Sequence, residues 1–183
     1  MASLVAGANA ALTAENPGLT SVMVGFSWDI IPSRGPQTEL VPIAVLCGDD
    51  GKALSDDHLV FFNQIVSDDG SVSFASEADD EEIDVDLSRI PAEVAKIAFF
   101  VYVDPDVRGP GDFSPVRSAS VKVSTPDGRE LVRFDVPLAE ARSTRALLLA
   151  ELYRHRDDWK FRALGQGYSS GLAGIASDFR IDV

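Results

Sequence analysis

The sharpest chemical feature of the sequence is a run of carboxylates, Asp79-Asp80-Glu81-Glu82. Adjacent acids repel one another, so such a run favours a cation or a basic surface beside it. A hard cation such as calcium collects about six to eight oxygens, from several loops and with backbone carbonyls among them. Other segments offer suitable oxygens: Asp29 after Trp28, Glu39, Asp49-Asp50, Asp56-Asp57, Asn63 and Asp68-Asp69. None has the EF-hand spacing of alternating acids, a glycine and a closing glutamate. The plain alternative is a solvated acidic loop.

The remaining reactive residue types form no comparable pattern. The single cysteine, Cys47, ends an apolar run and reads as a buried structural thiol. His58 and His155 are far apart in sequence, with no spacing that suggests zinc. A serine, His58 and an aspartate can be drawn as a triad, but with so many serines and acids the match carries no weight. Gly165-x-Gly167-x-x-x-Gly171-x-x-Gly174 lacks the strand context of a dinucleotide fingerprint and reads as close backbone packing. Arg154, Arg156, Lys160 and Arg162, with Tyr153 and Trp159, form a small basic stretch suited to an acidic surface or to solvent. No catalytic constellation emerges, and the expectation is a protein that is not an enzyme.

Charge is distributed unevenly. The chain has 29 acidic and 16 basic residues, a net charge of −13. Residues 1–106 hold 19 acids and 4 bases, whereas residues 107–183 hold 10 acids and 12 bases. An acidic first part repels phosphate backbones, so nucleic acid is an unfavourable partner. It attracts cations or basic protein surfaces instead. One cysteine excludes an internal disulfide framework and fits a reducing compartment. The first residues show no basic region followed by an apolar run, and no stretch is apolar for the length of a bilayer. A cytoplasmic protein without a transmembrane segment is expected.

The elements that must position these residues are mostly strands. Val22, Val24, Phe26 and Trp28 alternate with smaller or polar residues, the period of a half-buried strand. Leu40–Leu46, 58–62 and Ala95–Val103 are further strand-sized runs. Ile83, Val85 and Leu87 alternate with Glu82, Asp84 and Asp86. Residues 118–123 and 130–136 flank Thr125-Pro-Asp-Gly128, a hairpin signal. Residues 91–94 suit one helical turn, 104–112 a loop and 175–179 a short helix. Residues 145–153 have helical propensity but lie between strand signals. Many short strands separated by turns suggest a β-sandwich. No linker divides the chain, and one domain over residues 1–183 is expected.

A longer pattern then becomes specific. Glu151-Leu-Tyr-Arg-His-Arg-Asp-Asp-Trp-Lys-Phe-Arg-Ala-Leu-Gly-Gln-Gly-Tyr168, continuing to Gly174, resembles the hallmark segment of the TerD family of tellurium-resistance and stress-response proteins. Pro17-Gly-Leu-Thr20, Val24-Gly25 and Trp28-Asp29 are similar to that family's opening strand. Asp50-Gly-Lys52, Val60-Phe-Phe-Asn63, Asp68–Val72, Asp79-Asp-Glu81 and Val85-Asp-Leu-Ser88 continue the likeness in order. The resemblance implies a mainly β fold: a β-sandwich of two mostly antiparallel sheets with a short C-terminal helical element. It also implies that 145–153 is a strand. The function implied is a stress-response module without enzymatic activity, calcium-binding or calcium-responsive, partnered by other Ter-family proteins or by itself, in complexes that include peripheral membrane-associated ones. Calcium-binding members carry an Asp-x-Asp-x-Asp stretch where this chain has Gln37-Thr-Glu-Leu-Val41, and a longer glycine-rich loop where it has Phe74–Ala78. The implied calcium site is therefore partly degenerate, with Asp29, Glu39, Asn63, Asp79, Asp80 and Glu81 as its ligands. The alternative is an interaction module that needs no metal.

Overall fold

Alternating strands with one apolar face must bury that face against another layer. The computed structural model, which describes residues 2–32, 34–35, 37–77, 80–107 and 110–182 (the side chains of 76, 77 and 80 excepted), does so with two six-stranded sheets. The strands run β1 (Ala2–Leu4), β2 (Asn9–Ala11), β3 (Ser21–Ile30), β4 (Leu40–Cys47), β5 (Leu59–Val60), β6 (Val72–Glu77), β7 (Asp80–Asp86), β8 (Lys96–Val103), β9 (Val116–Ser124), β10 (Glu130–Asp135), β11 (Ala146–His155) and β12 (Asp158–Tyr168). One helix among the described residues, α1 (Leu172–Phe179), follows. One sheet has the order β1-β10-β9-β3-β7-β6 and the other β2-β12-β11-β8-β4-β5. Every pairing is antiparallel except β1 with β10. Among the described residues no helix is long and apolar enough to cross a membrane.

The inner faces of the two sheets meet in one core. Val22, Val24 and Phe26 of β3 and Ile83 and Val85 of β7 face Phe99 and Val101 of β8 and Leu152 of β11. A second apolar layer lies on the outer face of the β8 sheet, where α1 covers it. Phe179 of α1 meets Phe100 of β8 edge-on, with ring centroids 5.0 Å apart. Burial on both faces explains the continuous apolar runs of β4 and β8.

The same double burial decides the segment with helical propensity. β11 is central, paired to β8 on one side and β12 on the other. Leu147 and Leu152 enter the core between the sheets, while Ala146 and Leu148 face the α1 layer. A shift of register between Leu148 and Ala150 changes which residue parity points inward. Tertiary burial of nearly every side chain outweighs a propensity difference of a few tenths of a kcal/mol per residue.

The hairpin lies where its turn residues indicate, with β9 and β10 joined through Thr125–Gly128. Residues 91–94 make a single turn, closed by the Val94 amide on the Pro91 carbonyl, rather than a helical segment. The glycines late in the chain serve packing. Gly165 has a φ of +76° and lies against Phe134. A Cβ on Gly167 would sit 2.6 Å from Cγ2 of Thr144. Gly167→Val is therefore expected to cost about 1–3 kcal/mol. Urea denaturation measures it, and a loss below about 0.5 kcal/mol, the scale of ordinary surface changes, would contradict the packing argument.

Candidate metal centre

Strand alternation sets where the acids point. Ile83 and Val85 are core residues, so Glu81, two positions before Ile83, lies in the core-facing register of β7, opposite Phe26 of β3. Its Oε2 is buried and has no hydrogen-bond partner among the described residues. Burial, and then the nearby charge of Glu39, push its carboxyl above the ordinary value. Glu39 stands in the approach to β4, and its carbonyl accepts the Asp104 amide at 2.9 Å. Glu39, just before β4, is thus near enough for its charge to act on Glu81 of β7 in the other sheet.

The other expected ligands are placed differently. Asp29, near the end of β3, pairs with Arg117 at 2.9 Å, and both side chains are about half exposed. An exposed pair of this kind is worth about 0–1 kcal/mol, so it directs Asp29 without holding it firmly. Asn63 lies in a tight turn where Phe61 and Gln64 exchange backbone hydrogen bonds. It lines a cavity of about 410 Å³ shared with Asp56, Asp104, Asp106 and Asp182. Asp80 begins β7 opposite Glu77, with its side chain outside the description, and Asp79 lies outside the described residues. Among the described residues no group of three or more acidic, histidine or cysteine side chains is arranged to hold a metal.

A hard cation would fit the Glu39–Glu81 pair chemically. An inward carboxylate with an orphaned buried oxygen beside a second carboxylate is a site that a positive charge would relieve. The ligands beyond that pair would have to come from the adjoining loops.

The remaining residues of chemical interest have structural surroundings. Cys47 is buried, and burial pushes its thiol up to about 12, which suppresses the thiolate. His58 Nδ1 lies 2.7 Å from Ser55 Oγ within one exposed turn. The basic stretch is divided. The Arg154 guanidinium donates to the carbonyls of Ile90, Pro91 and Val94 and stacks on Trp159. Arg162 pairs with the buried Glu151 and lies over Tyr153. Sequence reasoning assigned residues 104–112 to a loop and missed the cavity that Asp104 and Asp106 border. The only available signal was two acids around a proline directly after a buried strand.

Comparison with known proteins agrees with this architecture. A family model described as the TerD domain matches residues 1–179. The chain is 34% identical to Tellurium resistance protein TerD of Serratia marcescens, over 98% of this chain and 97% of that one. It is 37% identical to General stress protein 16U of Bacillus subtilis (strain 168), over 99% and 98%. A solved structure described as a homologue of the telluride resistance protein TerD, from Streptomyces coelicolor A3(2), superposes with a TM-score of 0.67 at 25% identity, covering 85% of this chain and 94% of that one. With its two-sheet sandwich, its C-terminal helix and this near full-length match, the chain belongs to the TerD family.

Proposed function

We propose that this protein is a cytoplasmic, non-enzymatic stress-response module of the TerD family that binds calcium weakly, through Glu39 and Glu81 with oxygens from neighbouring loops. The observation that carries the reading is the Glu81 carboxylate, turned toward the core with one oxygen buried and unpartnered among the described residues. An ionised carboxylate so placed is costly, and a divalent cation offsets that cost. The names of the relatives, which concern tellurium resistance and general stress, supply the setting.

The pH dependence has a definite sign. The folded-state pKa of Glu81 is raised. Its contribution to stability is therefore full at pH values below the ordinary glutamate pKa and is lost as pH rises through the folded value. Calcium favours the ionised form, so it should restore stability near neutral pH and bind less well as the medium becomes acidic.

Calorimetric titration with calcium chloride is expected to give a dissociation constant on the order of 0.1–1 mM. At tenfold excess over that constant the gain is about 1.4 kcal/mol, a rise in melting temperature of about 3–5 °C. Glu81→Gln should abolish both responses. No heat and no thermal shift at several millimolar calcium would sink the calcium reading and leave the metal-independent interaction module. The Asp29–Arg117 pair favours that alternative, since it supplies Asp29 with a cation from within the chain.

A further inference from the structure

The cavity that holds Asn63 has a composition that calcium does not explain. Four carboxylates border it: Asp56, Asp104, Asp106 and Asp182. They come as two pairs. The Asp182 amide donates to Asp56 Oδ1 at 2.8 Å, and the Asp106 amide to Asp104 Oδ1 at 2.9 Å. Among the described residues lining the cavity there is no lysine or arginine. Its walls are apolar, with Leu59, Phe61, Phe62 and Leu172, and Phe62 remains 51% exposed. Tyr102 of β8 also lines it, is only 4% exposed, and makes no hydrogen bond through its hydroxyl among the described residues. Asp104 and Asp106 lie close enough to act on its charge.

From this combination we propose that the cavity binds an aliphatic polyamine. Ammonium groups match the two carboxylate pairs by charge, and an ammonium can also donate to the Tyr102 hydroxyl. The methylene segments match the aromatic and leucine walls, where apolar contact and cation–π attraction add to the charge term. A hard metal ion would make no use of those walls and needs converging oxygens, which this arrangement does not present. The volume of about 410 Å³ is that of a small-molecule site. Neither Glu39 nor Glu81 lines this cavity, although the Asp104 amide donates to the Glu39 carbonyl, and Glu81→Gln distinguishes the two readings.

Calorimetric titration of the full chain with spermidine in 150 mM salt is the test. Saturable one-to-one binding is expected, with a dissociation constant of about 0.1–1 mM. Asp104→Asn combined with Asp106→Asn should weaken binding at least tenfold while preserving the turn, because an asparagine oxygen still accepts the amide. Tyr102→Phe should weaken it about threefold without moving the melting temperature. Asp49→Asn with Asp50→Asn removes the same charge from another loop and should leave binding intact, as should Glu81→Gln. Absence of saturable heat, or equal weakening by the Asp49 and Asp50 changes, would overturn the proposal and leave only diffuse attraction to an acidic protein. Competition by 1 mM calcium through Asp104 and Asp106 would overturn it in favour of a metal site. Binding of a lysine-rich peptide without binding of spermidine would overturn it in favour of a protein-docking surface.

Discussion

Glu151→Ala is expected to lower the unfolding free energy by about 3 kcal/mol, a large effect for a single change of a charged residue. The Glu151 side chain is 7% exposed. It lies on β11 directly opposite Arg162 of β12, which it meets at 3.0 Å, and Lys96 of β8 reaches it at 3.3 Å. The carboxylate thus links three adjacent strands on the outer face of their sheet. Truncation leaves two cations facing each other without the anion between them. Removing one partner of a buried pair costs about 3–5 kcal/mol. Lys96 and Arg162 are 28% and 40% exposed and can recover some hydration, which places the effect at the lower end of that range. Urea denaturation monitored by tryptophan fluorescence measures it. Glu151→Gln should cost less, because its oxygen still accepts from Arg162. Replacing Lys96, Glu151 and Arg162 together by leucine should recover most of the loss, since a well-packed apolar trio has no desolvation penalty to offset. A loss below 1 kcal/mol for Glu151→Ala would show that the three charges behave as an exposed cluster.

This triad bears on how much the sequence could reveal. The strands with alternating residues were legible because one face of each enters the core, as Val22, Val24 and Phe26 do in β3. β11 was legible as a strand only through the family resemblance. Its doubly buried position depends on β8 and α1, which are distant in the chain. The basic stretch at 154–162 looked like a surface patch because composition does not reveal where a guanidinium ends. Arg162 is drawn to Glu151 by register across a hairpin, and Arg154 is drawn to a loop about 60 residues away. The acidic residues show the complementary limit. Their abundance was visible, but whether two of them face each other depends on which strand ends coincide. The approach of Glu39, just before β4, to Glu81 of β7 links the two sheets, and the cavity at Asp104 joins three loops, Leu172 of α1 and Asp182 beyond that helix. Neither has a spacing in the chain that could announce it.

The charge asymmetry also acquires a physical meaning. Cations of the second part neutralise particular acids: Arg117 meets Asp29, Arg162 meets Glu151 and Arg133 meets Asp135. The fold thereby spends much of its positive charge internally or along its strands. Glu39, Glu81 and the four carboxylates of the cavity have no such ion pair among the described residues. Other acids, among them Asp49, Asp57, Asp68 and Glu93, also lack an ion pair among the described residues, so the excess of acid extends over the surface beyond these two places.

Arg154→Ala is the second change with a large expected effect, about 2–4 kcal/mol. Arg154 lies opposite Trp159 at the end of the β11–β12 hairpin, and its guanidinium carbon is 4.5 Å from the centroid of the buried indole. Its Nε donates to the Val94 carbonyl at 2.8 Å, and its Nη2 donates to Ile90 and Pro91 at 3.0 Å each. Ile90 and Val94 are core residues, so this one side chain closes the end of the sandwich and fixes the loop that leads into β8. Alanine removes three charge-assisted hydrogen bonds and the stack on Trp159 together, and it takes the Arg154 donor from the carbonyls of Ile90 and Val94, while Pro91 keeps the Val94 amide. Arg154→Lys should recover less than half of the loss, because an ammonium cannot present a planar fork to three carbonyls while lying flat on an indole. Denaturant midpoints give the stability, and hydrogen exchange at the Val94 and Ala95 amides reports the loop directly. Faster exchange there is expected in Arg154→Ala, whereas Glu151→Ala should leave it nearly unchanged relative to global stability. If both variants accelerate exchange equally at those amides, the loop is held by the sheet as a whole rather than by Arg154.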